Sequence, residues 1–162
     1  MAVFFLPACG EQQTEDTADD NAAPATQVIQ LGTSAFSITV DESFQEGEIS
    51  AEDTDDSQVG YYFSDNTKVD FDVYQWTKAT GETLEAIAAD EAEDYDNAAV
   101  AKNDFGGIEA YSYEAVEEYE GQDYNTVSYL IEDGDFIVEL VFWLDGDNAQ
   151  EEVDAIMATL AK

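Results

Sequence analysis

The segment Tyr124-Asn125-Thr126-Val127-Ser128-Tyr129-Leu130-Ile131-Glu132-Asp133-Gly134-Asp135-Phe136-Ile137-Val138-Glu139-Leu140-Val141-Phe142-Trp143-Leu144 sets two apolar runs around an Asp-Gly pair. Asp133-Gly134 in that setting predicts a β-hairpin, because a type I′ turn needs positive φ at both central residues. The second run, 136–144, is nearly all apolar, with Glu139 the exception. Such a run predicts a central strand covered on both faces.

Downstream, Val153, Ile156, Met157 and Leu160 give the i, i+3, i+4, i+7 stripe of an amphipathic helix. Asp147 with Gln150 three residues on resembles a capping box, and Lys162 suits the negative end of the helix dipole. Upstream, 124–132 and 108–118 read as long strands and 98–102 as a short one. Residues 80–95 read as a helix, with Glu82 and Glu85 in its first turn and Leu84, Ile87, Ala88 and Tyr95 on one face. In 68–77, Val69, Phe71 and Val73 face one way and Asp70, Asp72, Tyr74 and Trp76 the other, which predicts a half-buried strand. Residues 60–63 form another strand before a turn at 65–67. Residues 41–57 form an acidic loop anchored by Phe44 and Ile49. Two short strands, 28–31 and 35–40, flank Gly32-Thr33-Ser34. The order β-β-β-β-α-β-β-β-β-α predicts an α+β fold, an antiparallel sheet with helices packed on it.

At the other end, a short apolar run, 2–6, leads into Leu6-Pro7-Ala8-Cys9-Gly10. An aliphatic residue three places before the sole cysteine and a small residue just before it resemble a bacterial lipobox. That resemblance implies cleavage before Cys9, a diacylglycerol on its thiol, and a lipid-anchored protein at the extracytoplasmic face of the cell membrane. Two acyl chains of palmitate type, at about 0.8 kcal/mol per buried CH₂, suffice to hold a domain on a bilayer. Residues 11–26 are polar, acidic and free of aromatics, as a solvated tether is. The expected layout is a truncated signal peptide and lipobox at 1–9, an acidic flexible tether at 10–26, and one globular domain at 27–162.

Four stretches within that domain resemble the Mog1/PsbP-like group, especially its bacterial lipoprotein members. They are Phe36-Ser37-Ile38-Thr39-Val40, Val69-Asp70-Phe71-Asp72-Val73-Tyr74, Gly107-Ile108-Glu109-Ala110, and Phe136-Ile137-Val138-Glu139-Leu140-Val141-Phe142 with the terminal helix ending Met157-Ala158-Thr159-Leu160. The resemblance implies an α/β/α sandwich and a non-enzymatic accessory or binding role. It carries over no functional residue of the photosystem or nuclear-transport members.

Composition narrows the chemistry. Of the 162 residues, 39 are acidic and four are lysine; arginine and histidine are absent, and the net charge is −35. Such a surface repels nucleic acid, whose binding depends on neutralising phosphates. It gathers divalent cations with or without a specific site. Lacking histidine, the chain cannot form a Ser-His-Asp or Cys-His arrangement. One cysteine and no histidine rule out the usual zinc sets. No Gly-rich phosphate loop occurs.

Calcium, which takes six to eight oxygen ligands, is the sharper possibility. The candidate loops are Asp53/Asp55/Asp56, Asp65/Asn66, Asp94/Asp96/Asn97 and Asp145/Asp147/Asn148. None has the EF-hand pattern, and each also reads as a solvated turn. Tyr111 and Tyr113 share a strand face, as do Tyr74 and Trp76. These aromatics suit a contact surface for a protein, peptide or glycan, and equally the cover of a sheet under a helix. Three functions follow: a membrane-anchored, non-enzymatic accessory or binding domain; an extracellular calcium-binding module; and a small carboxylate-dependent hydrolase.

Overall fold

The computed structural model describes residues 25–49, 57–96 and 98–162. Cys9, most of the tether and Asp53, Asp55 and Asp56 lie outside the described residues. The chain runs β1 (Thr26–Gln30), β2 (Ser37–Asp41), β3 (Gln45–Glu46), β4 (Gln58–Phe63), β5 (Val69–Thr77) and α1 (Leu84–Glu93). It continues through β6 (Ala101–Phe105), β7 (Ile108–Tyr119), β8 (Gln122–Asp133), β9 (Phe136–Leu144) and α2 (Ala149–Met157).

Seven strands form one antiparallel sheet in the order β3-β4-β5-β9-β8-β7-β6, which places β9 at its centre, as its apolar sequence requires. The hairpin β1-β2 is a separate two-stranded sheet. It lies with α2 on one face, tied to the C-terminal tail by paired backbone bonds between Ser37 and Ala161 at 2.9 and 3.0 Å. Thr159 Oγ1 accepts from the Thr39 amide at 2.7 Å beside them. The α2 face is apolar and closed. Val69, Phe71 and Val73 of β5, Val138, Leu140 and Phe142 of β9, and Val127 and Ile131 of β8 pack there against Ile38, Val153, Ile156 and Met157. Phe71 stands in the middle of a run of rings, 5.5 Å from Phe44, 5.0 Å from Tyr62 and 5.4 Å from Phe142. Fully burying one such side chain stabilises the fold by roughly 1.5–3 kcal/mol.

Several local expectations are corrected. The β8-β9 turn holds Gly134-Asp135 between the pair Asp133 and Phe136, and of these only Gly134 has positive φ, 66°. That is the glycine-first pattern of a type II′ turn rather than I′. The I′ signature of two positive φ angles appears instead at Glu120-Gly121 (52° and 78°), between β7 and β8. Helix α1 begins at Leu84, because Gly81 is at φ 92° and Thr83 caps the helix, its hydroxyl accepting from Ala86 N at 3.2 Å. Glu82 therefore stays outside the helix and accepts from Ala79 N at 3.2 Å.

Asp147 does not cap α2. The cap residue is Asn148 in left-handed conformation, φ 67°, without a side-chain capping bond, a conformation Asn tolerates better than most residues. Gln150 donates along the helix to Asp154 at 2.9 Å instead of completing a box. Lys162 lies five residues past α2, pairing with Asp133 at 3.0 Å and sitting 4.9 Å from the Phe36 ring centre. The strand expected at 98–102 forms at Ala101–Phe105, an edge strand whose weak alternation marked its register poorly.

Candidate functional site

The face opposite α2 is built from the alternate residues of the same strands. Register places Tyr74 beside Glu139, Asp72 beside Val141 and Asp70 beside Trp143 on β5 and β9. It continues through Ser128 beside Val141 and Tyr113 beside Ser128 on β8 and β7. Helix α1 covers only one end of this face. Leu84, Ile87, Ala88 and Ala92 pack on Tyr111, Tyr113, Leu130 and Ile137, with Trp76 and Tyr95 at the margin. Short α1, ten residues long, cannot reach the other end. What it leaves open is a cleft of about 660 Å³, within the usual range for small-ligand sites. Its walls include Tyr74, Trp76, Tyr95, Tyr113 and Trp143; its acids are Glu91, Glu117 and Glu139, with Val141 on its floor.

Glu139 sits in the central strand, 7% exposed. Its Oε1 accepts from the Tyr113 hydroxyl at 3.0 Å. Burial pushes its carboxyl up to about 7; the Tyr113 and Ser128 hydroxyls oppose that rise, and the charges of Glu91 and Glu117 add to it. Burial, then the Glu139 charge, pushes the Tyr113 phenol upward too, so it remains a donor. Tyr95 stacks on Tyr113 at 5.7 Å and is pushed up to about 12 by burial and by Glu117 and Glu139. Burial also raises Glu117, against the Thr126 and Tyr95 hydroxyls. Beside the cleft, burial raises Asp72, although Trp143 Nε1 and Gln58 Nε2 each donate to it at 2.7 Å. Trp143 is thus held by its indole N–H and flanked edge-on by Tyr119 and Tyr124 at 6.4 and 6.0 Å.

The sequence candidates divide. Tyr74, Trp76 and Tyr113 converge on the cleft. Tyr111 and Tyr113 are 7% and 4% exposed and lie under α1, so neither belongs to a flat surface patch: Tyr111 is sheet cover, and Tyr113 reaches the cleft only as its inner wall. Asp94 and Asp96 are exposed turn residues, and Asp145 is an exposed residue just past β9. Among the described residues no three acidic side chains come together in a way that could hold a metal ion. Glu91, Glu117, Tyr95 and Trp143 were not singled out by sequence. Nor was Glu139 among the sequence candidates, although its place as the lone acid in an apolar strand is the signal that marks it.

No family model matches the chain, and no curated protein matches it. Solved structures do. Cyanobacterial PsbP (CyanoP) from Synechocystis sp. PCC 6803 superposes with a TM-score of 0.63 at 7% identity, covering 96% of this chain and 98% of that one. LpqN of Mycobacterium tuberculosis, described as involved in cell envelope biogenesis, gives 0.54 at 11% identity over 85% of this chain and 90% of that one. A protein of Bacteroides thetaiotaomicron gives 0.56 at 15% identity; the match covers 78% of this chain but 44% of that longer one. Identities this low speak for the fold alone. The fold is therefore that of the PsbP-like proteins, an antiparallel sheet layered between helices.

Proposed function

We propose that this protein is a lipid-anchored extracytoplasmic domain that serves the cell envelope by binding a ligand in the cleft beside α1, without catalysing a reaction. The observation that carries the reading is the half of the sheet face that α1 leaves open, ringed by aromatic side chains around buried Glu139. The lipobox-like Leu6-Pro7-Ala8-Cys9 supports the anchor. The envelope role described for LpqN, on a similar fold, agrees with the setting. No helix among the described residues is long and apolar enough to cross a membrane.

Two measurements test this. Cys9→Ala moves the full chain from the membrane fraction to the soluble one; unchanged fractionation removes the anchor. Native mass spectrometry of the chain purified from its own membranes finds a small-molecule adduct that Val141→Trp, which fills the cleft floor, abolishes. An adduct retained in Val141→Trp puts the ligand elsewhere.

One observation favours a second reading, the carboxylate-dependent hydrolase: a glutamate poised near pH 7 is suited to general acid catalysis. Turnover of aryl glycosides that disappears in Glu139→Gln would establish it.

A further inference from the structure

We infer that the ligand class of this cleft is a small organic ammonium ion, a primary amine or a quaternary ammonium group, gripped between aromatic faces and glutamate carboxylates. The inference rests on the binding-domain reading above and specifies its ligand. Three features carry it. The cleft joins ligand-sized volume to five aromatic residues, Tyr74, Trp76, Tyr95, Tyr113 and Trp143. Aromatic faces attract cations, tryptophan most strongly, and sites that gather several aromatic rings are used to bind quaternary ammonium groups. Glu91, Glu117 and Glu139 line the same space, which fixes the sign of the charge that fits.

The third feature is that the chain supplies no cation of its own to the cleft. It has four lysines and no arginine or histidine. Lys68 donates to the Asp147 carbonyl at 2.6 Å, Lys78 pairs with Glu132 at 2.6 Å, Lys102 pairs with Glu109, and Lys162 pairs with Asp133. None of them lines the cleft. The second cleft differs in kind: it is as large, about 690 Å³, but its glutamates Glu82, Glu85, Glu109 and Glu132 are partly neutralised by Lys78 and Lys162 in the same lining, whereas the first cleft has no cation among its lining residues. A hydrated metal ion gains little from aromatic walls, and three acids able to hold one do not converge among the described residues. An alkylammonium gains from both rings and carboxylates.

Binding has a proton linkage. A cation favours ionised Glu139 over its protonated form. The groups facing that carboxyl are Glu91 and Tyr95 from the α1 side, Tyr113 and Glu117 from β7, Tyr74 from β5 and Ser128 from β8. None carries positive charge, so affinity rises from pH 6 to pH 8.

The chain's two tryptophans, Trp76 and Trp143, both line the cleft, so tryptophan emission reports on it directly. The full chain in detergent is titrated with tetramethylammonium chloride and with putrescine, against sodium chloride at equal ionic strength and against the neutral sugar trehalose. The expected result is a saturable change for at least one ammonium ion at or below about 1 mM, weakened roughly tenfold in Glu139→Gln and in Glu117→Gln. The strengthening between pH 6 and pH 8 is lost in Glu139→Gln only. Circular dichroism shows both isosteric variants folded. An equal response to sodium overturns the inference as charge screening. Saturation by trehalose without a response to ammonium overturns it but keeps the cleft as a binding site. No response to any probe overturns the inference; the binding-domain reading falls with it only if the native protein also carries no adduct.

Discussion

Along β9, Val138, Leu140 and Phe142 point into the α2 layer while Ile137, Glu139, Val141 and Trp143 point to the α1 side. The first set is sealed by α2 and the β1-β2 hairpin together. The second is sealed only where α1 lies on Ile137, and past that point the sheet carries carboxylates, phenols and indoles. The same strand thus serves a core on one side and a cleft on the other. The lesson is that cover decides chemistry: two elements close the α2 face, one short helix only begins to close the other, and the polar groups collect where the cover stops.

The hardest way to break that contrast is on the closed side. Phe142→Ala leaves a cavity beside Phe71 and Tyr129 and costs about 3–5 kcal/mol in urea unfolding. A loss below about 1 kcal/mol would mean that this face is not the principal core.

Next in size is Glu139→Gln on the open side. Folded Glu139 keeps its proton up to about pH 7, against an ordinary value of 4.5. Between those values the folded state binds more protons than the unfolded one, so stability falls as pH rises through the window and levels off above it. The glutamine variant escapes this decline. It should match the parent at pH 4.5 and be more stable at pH 8, by up to about 3 kcal/mol. A difference independent of pH would show that burial does not set the titration.

Thr83→Ala removes the hydroxyl that caps α1 and should cost about 1 kcal/mol. Loosening α1 also exposes Trp76 at its margin, so its emission should shift to the red. An unchanged melt would show that packing on Tyr111 and Leu130 alone starts the helix.

The smallest effect is expected from ions. Calcium and magnesium chloride should raise the melting temperature alike, and sodium chloride in the same direction but less at matched ionic strength, by screening the net charge of −35. A saturable excess for micromolar calcium would revive a specific oxygen cage.

The strands were legible because period-two alternation records which residues share a face. Val69, Phe71 and Val73 against Asp70, Asp72, Tyr74 and Trp76 already separated core from cleft side on β5. Helix limits and turn types were read less well, since Gly81, Asn148 and Glu120 act through φ values that neighbouring residues do not reveal. The strands β1 and β2 were legible at 28–31 and 35–40, but their separation from the large sheet was not. Their place depends on the bond to Ala161, more than 120 positions away.

By itself the sequence determined the strand-and-helix order except for the two-residue β3 inside the expected acidic loop, the central position of 136–144, the lack of histidine and arginine, and the lone acid in an apolar strand. These are local or compositional facts, carried by neighbours a few residues apart. Only the tertiary structure decided that α1 stops short of the sheet's far end. It also brought Tyr74, Glu117, Glu139 and Trp143 from three strands to one cleft and raised Glu139 toward neutrality. Burial and electrostatic environment arise from long-range packing, which a pattern along the chain does not encode.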